Sequence, residues 1–241
     1  MAGPLAQFEI KTLIPLNIGE YDISFTNSAF FMALTVLAVM FFMVAGMRKA
    51  ALVPGRWQLS VELCYEFIAN MLHDAAGRDA RKYFPFIFAL FMFILFANLI
   101  GMFPYFGFTF TSHIAVTFAM AAFVFIGVTL IGLFKHGFKF FSLFLPHGTP
   151  WWLLWLIIPI EVISYLSRPI SLSVRLFANM VAGHTMLKVF GGFVVALGIY
   201  GIAPFLFIIA LTGLELLVAC LQAYVFTILT CMYLNDALHL H

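Results

Sequence analysis

From Trp151 to Tyr200, and again from Gly201 to Leu234, the chain runs apolar with few stops. Each run is longer than one perpendicular crossing of a bilayer requires. A helix rises about 1.5 Å per residue, so about 40 residues make a rod near 60 Å, roughly twice the hydrocarbon thickness of a membrane. Such rods must tilt steeply, bend, or lie partly in the membrane plane. Gly191-Gly192, Gly198, Gly201 and Pro204 offer breaks between the runs, and Pro159 and Pro169 offer bend points. The solvent must be lipid. Of 241 residues, 64% are hydrophobic and 9% are charged, where a soluble domain carries about a quarter charged.

The expected fold is therefore all-α and polytopic. Residues 1–26 read as a short ordered arm, and residues 27–46 as a first span with Asn27 or Ser28 as N-cap. No basic n-region followed by an apolar h-region precedes that span, so it is read as its own insertion signal. Residues 47–82 form a basic loop. Within it Leu59, Leu63, Phe67, Ile68, Met71 and Leu72 recur at helical spacing, with Glu62, Glu66 and Asp74 on other faces. That pattern describes an amphipathic helix, lying either on the bilayer surface or packed on the protein. Residues 83–134 read as a transmembrane hairpin linked through Pro104 and Gly107, residues 135–150 as a loop, and residues 151–241 as a second hairpin of two long tilted helices.

Basic residues set the orientation. The loop at 47–82 holds Arg48, Lys49, Arg56, Arg78, Arg81 and Lys82; the loop at 135–150 holds Lys135 and Lys139; the link at 102–111 holds none. Both basic loops are expected in the cytoplasm, or the equivalent compartment, with the N-terminus on the other side. A net charge of +2 is too small to suggest nucleic acid. Cys64, Cys220 and Cys231 have no metal-ligand spacing and read as small buried hydrophobes. The sequence has no Gly-rich phosphate loop, no triad spacing and no metal cluster, so no cofactor is expected.

The informative residues are the few polar ones inside the apolar half. Glu161, Arg168 and Arg175 follow one another at intervals of seven, and Asn179 lies four past Arg175, so all four share one helical stripe. Glu215 and Gln222 are again seven apart on the next helix. Two antiparallel helices with one polar stripe each would turn those stripes inward or toward a shared cavity. Simpler roles exist for several of these groups. Glu161 and Arg168 can form a plain ion pair, Lys188 can snorkel to a headgroup, and His184 can be a hydrogen-bonded interior histidine. Arg175 resists such a reading. Its guanidinium stays protonated at any biological pH, and a charge at bilayer depth costs several kcal/mol unless it faces a partner or water.

At "EVISYLSRPISLSVRLFANMVAGH" the chain closely resembles the membrane-embedded a subunits of F-type rotary ATP synthases, in an alphaproteobacterial or mitochondrial version. "GLELLVACLQAYVFTILTCMYLNDA" resembles the last helix of that family. The resemblance covers nearly the whole chain and rests most on the Arg-Leu-Phe-x-Asn-Met core. It implies that Arg175 is the family's essential arginine, facing a ring of carboxylate-bearing c subunits. Asn179 would be its polar neighbour and Gln222 the glutamine opposite. Glu161 would lie near the half-channel toward the basic loops, and His184 with Glu215 would form the ionisable pair of the half-channel from the other side. Some members place the acid and the histidine on the opposite helices. Arg168 matches no family role. The resemblance further implies a non-catalytic, proton-translocating role, b-type peripheral-stalk partners, and residence in a bacterial inner membrane or, alternatively, a mitochondrial one. It leaves proton versus sodium specificity open. Two rival readings stand beside it: an autonomous secondary transporter or channel with a midplane arginine, for which broken helices and internal symmetry are not evident, and a non-transporting anchoring protein.

Overall fold

A computed structural model describes residues 12–15, 17–18, 21–22, 24–48, 51–102, 108–144 and 151–239. The link through Pro104 and Gly107, the charged residues Glu9, Lys11, Glu20 and Lys49, and the end of the 135–150 loop lie outside these residues. Among the described residues the arm holds four short strands: β1 (Thr12–Ile14), β2 (Asn17–Ile18), β3 (Tyr21–Asp22) and β4 (Phe25–Thr26). β1 pairs with β4 and β2 with β3, both antiparallel. Six α-helices follow among the described residues: α1 (Asn27–Met47), α2 (Arg56–Ala76), α3 (Phe84–Gly101), α4 (Ile114–His136), α5 (Leu154–Leu197) and α6 (Ile202–Leu238). The protein is all-α. Four helical stretches among the described residues are long and apolar enough to cross a membrane, and the last, Leu154–Leu238, comprises both α5 and α6.

Local chemistry explains where the helices start and stop. Thr26 caps α1, its hydroxyl accepting from the Ala29 amide. Pro85 sits in the first turn of α3, where a missing N–H goes unnoticed. α5 runs unbroken for 44 residues with Pro159, Pro169 and Gly191-Gly192 all inside it. It ends at Gly198, whose φ of +53° a side chain would resist, and a single 3-10 turn then reverses the chain into α6. At about 1.5 Å per residue α5 is near 66 Å long, so it must tilt steeply to stay within roughly 30 Å of hydrocarbon.

The core lies where α3, α4, α5 and α6 meet, with α2 laid against them. Ile68 and Leu72 of α2, Ile87, Met92 and Ile94 of α3, Val124 of α4, Leu176 of α5, and Phe226 and Leu234 of α6 belong to one buried cluster. α2 thus packs on the protein, yet its apolar face is split: Ile68, Met71 and Leu72 point inward, while Leu59, Leu63 and Phe67 remain exposed. On α6 the small residues Ala219 and Ala223 are fully buried, and small side chains are what lets membrane helices approach. Asn98 of α3 uses that approach, its amide donating to the Ala219 carbonyl at 3.3 Å. The far ends of α5 and α6 expose apolar side chains on most faces and touch through Phe190 and Phe207, whose rings lie 4.6 Å apart.

Candidate functional site

Buried positions on α5 are Pro169, Leu172, Ser173, Leu176, Met180 and His184, a stripe at helical spacing. Arg175 falls outside that stripe. Leu176 is fully buried, whereas Arg175 is exposed beside the exposed apolar side chains Val174 and Ala178. Among the described residues Arg175 forms no ion pair and no side-chain hydrogen bond; Tyr233 of α6 lies within its electrostatic reach. A guanidinium on an apolar outer face, with no charge partner among the described residues, is costly in lipid unless water or a packed partner compensates it.

One turn along, Asn179 donates its amide N–H to the Gln222 carbonyl oxygen at 2.9 Å and so joins the two long helices beside the arginine. Gln222 is buried, and its own amide nitrogen has no protein partner. Past Asn179 a cavity of about 180 Å³ opens between the helices, lined by Asn179, Gly183, Met186, Leu211, Glu215 and Val218. A liquid water occupies about 30 Å³, so there is room for a short chain of them.

The cavity ends on a buried acid–base pair. His184 Nδ1 and Glu215 Oε1 lie 2.7 Å apart, at 8% and 7% residue exposure. The carboxylate approaches obliquely to the ring N–H. Gly183 makes this approach possible: a Cβ there would lie 2.7 Å from Glu215 Oε1. The other ring nitrogen, Nε2, is 3.0 Å from the Gly101 carbonyl and 3.0 Å from the Thr109 hydroxyl. Two helices, the end of α3 and the 108–113 connection thus converge on one imidazole. The same connection carries further buried polar groups: Thr111 and Ser112 are buried beside Thr109, and the Thr111 hydroxyl and His113 Nε2 find no partner among the described residues.

The opposite end of α5 carries a second polar cluster. Arg168 Nη1 lies 3.0 Å from Asp236 Oδ2 on α6, and the guanidinium stacks over the rings of Tyr165 and Tyr233. The Tyr165 hydroxyl in turn shares a 2.7 Å hydrogen bond with Thr129 of α4. Arg168 therefore pairs across the hairpin, with Asp236 in the last turn of α6, rather than with Glu161. Glu161, two turns before Arg168, is half-buried. Along the axis of α5, Arg175 stands about 14 Å from His184 and about 21 Å from Glu161 at 1.5 Å per residue. Along α5 there are thus a buried ionisable pair, a charged cluster, and between them an exposed cation with no charge partner among the described residues. Asp236, Thr109, Thr111, Ser112, His113 and Asn98 were not evident from sequence, where only the link's lack of charge drew notice. No group of three or more potential metal ligands occurs among the described residues.

Residues 29–235 match the family model described as ATP synthase A chain. The chain belongs to that family. Its relatives named ATP synthase subunit a include one from Parvibaculum lavamentivorans, 62% identical over 98% of this chain and 93% of the relative. One from Paramagnetospirillum magneticum is 57% identical over the full length of both chains, and one from Rhodospirillum rubrum 55% identical, again over the full length of both. All 44 residues of α5, and α6 as far as Asn235, lie within the ATP synthase A chain match, so every site residue above except Asp236 belongs to the family's shared segment.

Proposed function

We propose that this chain is the proton-conducting stator subunit of a bacterial ATP synthase. Two half-channels that do not meet would load and unload protons on the carboxylates of a turning c-ring. The first would open on the N-terminal side, pass the buried polar groups of the 108–113 connection, and reach His184 and Glu215. The second would open on the basic-loop side near Glu161. Arg175 would stand between them, with Asn179 and Gln222 as its neighbours. The chain itself makes and breaks no covalent bond; ATP chemistry would belong to other subunits. A b-type peripheral stalk would hold it still, in the bacterial inner membrane.

The exposed, unpaired Arg175 on an apolar outer face carries this reading. A protonated rotor carboxylate crosses lipid cheaply, while an ionised one does not. Beside a guanidinium the carboxylate favours its ionised form. A passing ring subunit must therefore give up its proton to one channel before meeting Arg175 and reload from the other afterwards. The fixed charge also repels protons that would leak straight through. The driving force is about 2.3 kcal/mol per charge for each 100 mV of potential.

The test is ATP-driven proton pumping in membrane vesicles carrying the assembled complex. Arg175→Ala should abolish it, and Arg175→Lys should rescue poorly, because an ammonium can lose its proton when desolvated. Normal pumping by Arg175→Ala would refute the role.

A further inference from the structure

We propose that the Thr109 hydroxyl is a positioning group of the relay, which allows His184 to exchange between its two neutral tautomers while Nδ1 stays on Glu215. The inference rests on the half-channel reading above and adds a residue to it.

Two groups face Nε2 of His184. The Gly101 carbonyl, at 3.0 Å, can only accept a hydrogen bond; the Thr109 hydroxyl, also at 3.0 Å, can accept or donate. Thr109 is 1% exposed, and its oxygen lies 3.4 Å from the Gly101 carbonyl, so the three polar atoms form one closed group. When Nε2 carries the hydrogen, it donates to Gly101, and Nδ1 offers a lone pair that only a protonated Glu215 can satisfy. When Nδ1 carries the hydrogen and lies against the Glu215 carboxylate, the Nε2 lone pair points at a carbonyl lone pair. That second state is buried and unsatisfied unless Thr109 turns its O–H toward Nε2. Among the described residues Thr109 is thus the one group facing Nε2 that lets the pair give up its proton without leaving an imidazole nitrogen stranded. Between the two states the Nε2 proton passes to the Thr109 oxygen as that hydroxyl's own hydrogen leaves for water of the half-channel, and the Glu215 proton passes to Nδ1; the pair loses one proton in all, and Thr109 is left donating to Nε2.

Glu215 on α6 is the titratable group in contact with the imidazole; Lys188, one turn on along α5, is exposed, His113 lies in the same connection as Thr109, and the Gly101 and Met180 carbonyls complete the surroundings. Neither Lys188 nor His113 has a hydrogen bond to His184. The methyl of Thr109 also packs tightly on Gly101, where a Cβ would collide with it. Valine keeps this contact and removes the hydroxyl alone.

The experiment measures passive proton conduction through the membrane sector of the assembled complex, in vesicles stripped of the catalytic sector, from neutral to alkaline pH. Thr109→Val should slow conduction about tenfold at neutral pH, the effect of leaving one buried neutral group unpaired, and move the half-maximal pH up by about one unit. Thr109→Ser should restore both rate and profile. If Thr109→Val does not assemble, Thr109→Cys, a weaker donor of similar size, takes its place in the comparison with serine. Wild-type conduction at every pH without the hydroxyl overturns the proposal, and so does equal loss with valine and serine. Glu215→Gln runs in parallel. If it slows conduction while Thr109→Val does nothing, this inference alone falls; if Glu215→Gln conducts normally, the half-channel reading falls with it.

Discussion

Arg168 on α5 and Asp236 on α6 form an ion pair of 3.0 Å between residues 68 apart in sequence, with the guanidinium held over two tyrosine rings. The pair is partly sheltered, with side-chain exposures of 23% and 39%. It fastens the charged end of the long hairpin, and through Tyr165 and Thr129 it reaches α4. Asp236→Asn should leave the cation without its counter-charge and destabilise the hairpin by about 1–3 kcal/mol, between the exposed and buried limits for such pairs. Arg168→Gln with Asp236→Asn should lose less than the two single changes added together. Thermal dissociation of the purified complex reads both effects, and strict additivity would show that the pair is not coupled.

Gly183 offers a sharper probe of geometry. A methyl there would lie 2.7 Å from Glu215 Oε1 and 3.0 Å from its Cδ. Gly183→Ala should push the carboxylate off His184 and cut proton conduction severalfold with little change in assembly. Gly127→Ala on α4 meets nothing within 4 Å and should be neutral. Conduction rates of the two variants, measured side by side, check this; equal rates would mean that the acid tolerates displacement.

His113 introduces a pH dependence at the foot of α4. Partial burial holds its imidazole below the ordinary value of 6.5. The unfolded chain therefore takes up the proton first as pH falls, so this contribution to stability is intact above about 6.5 and drains away below it. His113→Gln should flatten that acid-side loss. Melting of the complex at stepped pH gives the comparison; parallel wild-type and variant curves would exclude His113 as the source.

Spacing alone predicts one polar stripe turned inward, and the structure turns Arg168 and Asn179 toward α6 but leaves Arg175 on the outer face. Intervals of seven put Glu161, Arg168, Arg175 and Asn179 on one side of a helix, and α5 is one continuous helix across all of them. The resemblance carried by the arginine core named the same residues. The partners were not legible. Asp236 follows the end of the apolar run at Leu234, and nothing in the sequence points it back at Arg168. α6 continues to Leu238 because Lys135 Nζ and His136 Nε2, at the basic end of α4, both reach the Leu238 carbonyl at 3.1 Å. The connection around Thr109 looked like an ordinary uncharged turn, since threonine and serine are common in turns for local reasons.

The order of residues along the chain determined which segments enter lipid and which side of each helix is polar, because hydropathy and helical periodicity are properties of one helix at a time. Which polar groups meet was decided by tertiary packing. Ala219, Ala223 and Gly183 let neighbouring elements come close, and that closeness sets the offset of one helix against another. His184 thereby reaches Glu215, Gly101 and Thr109, while Arg175, one face away, is left to meet whatever lies outside.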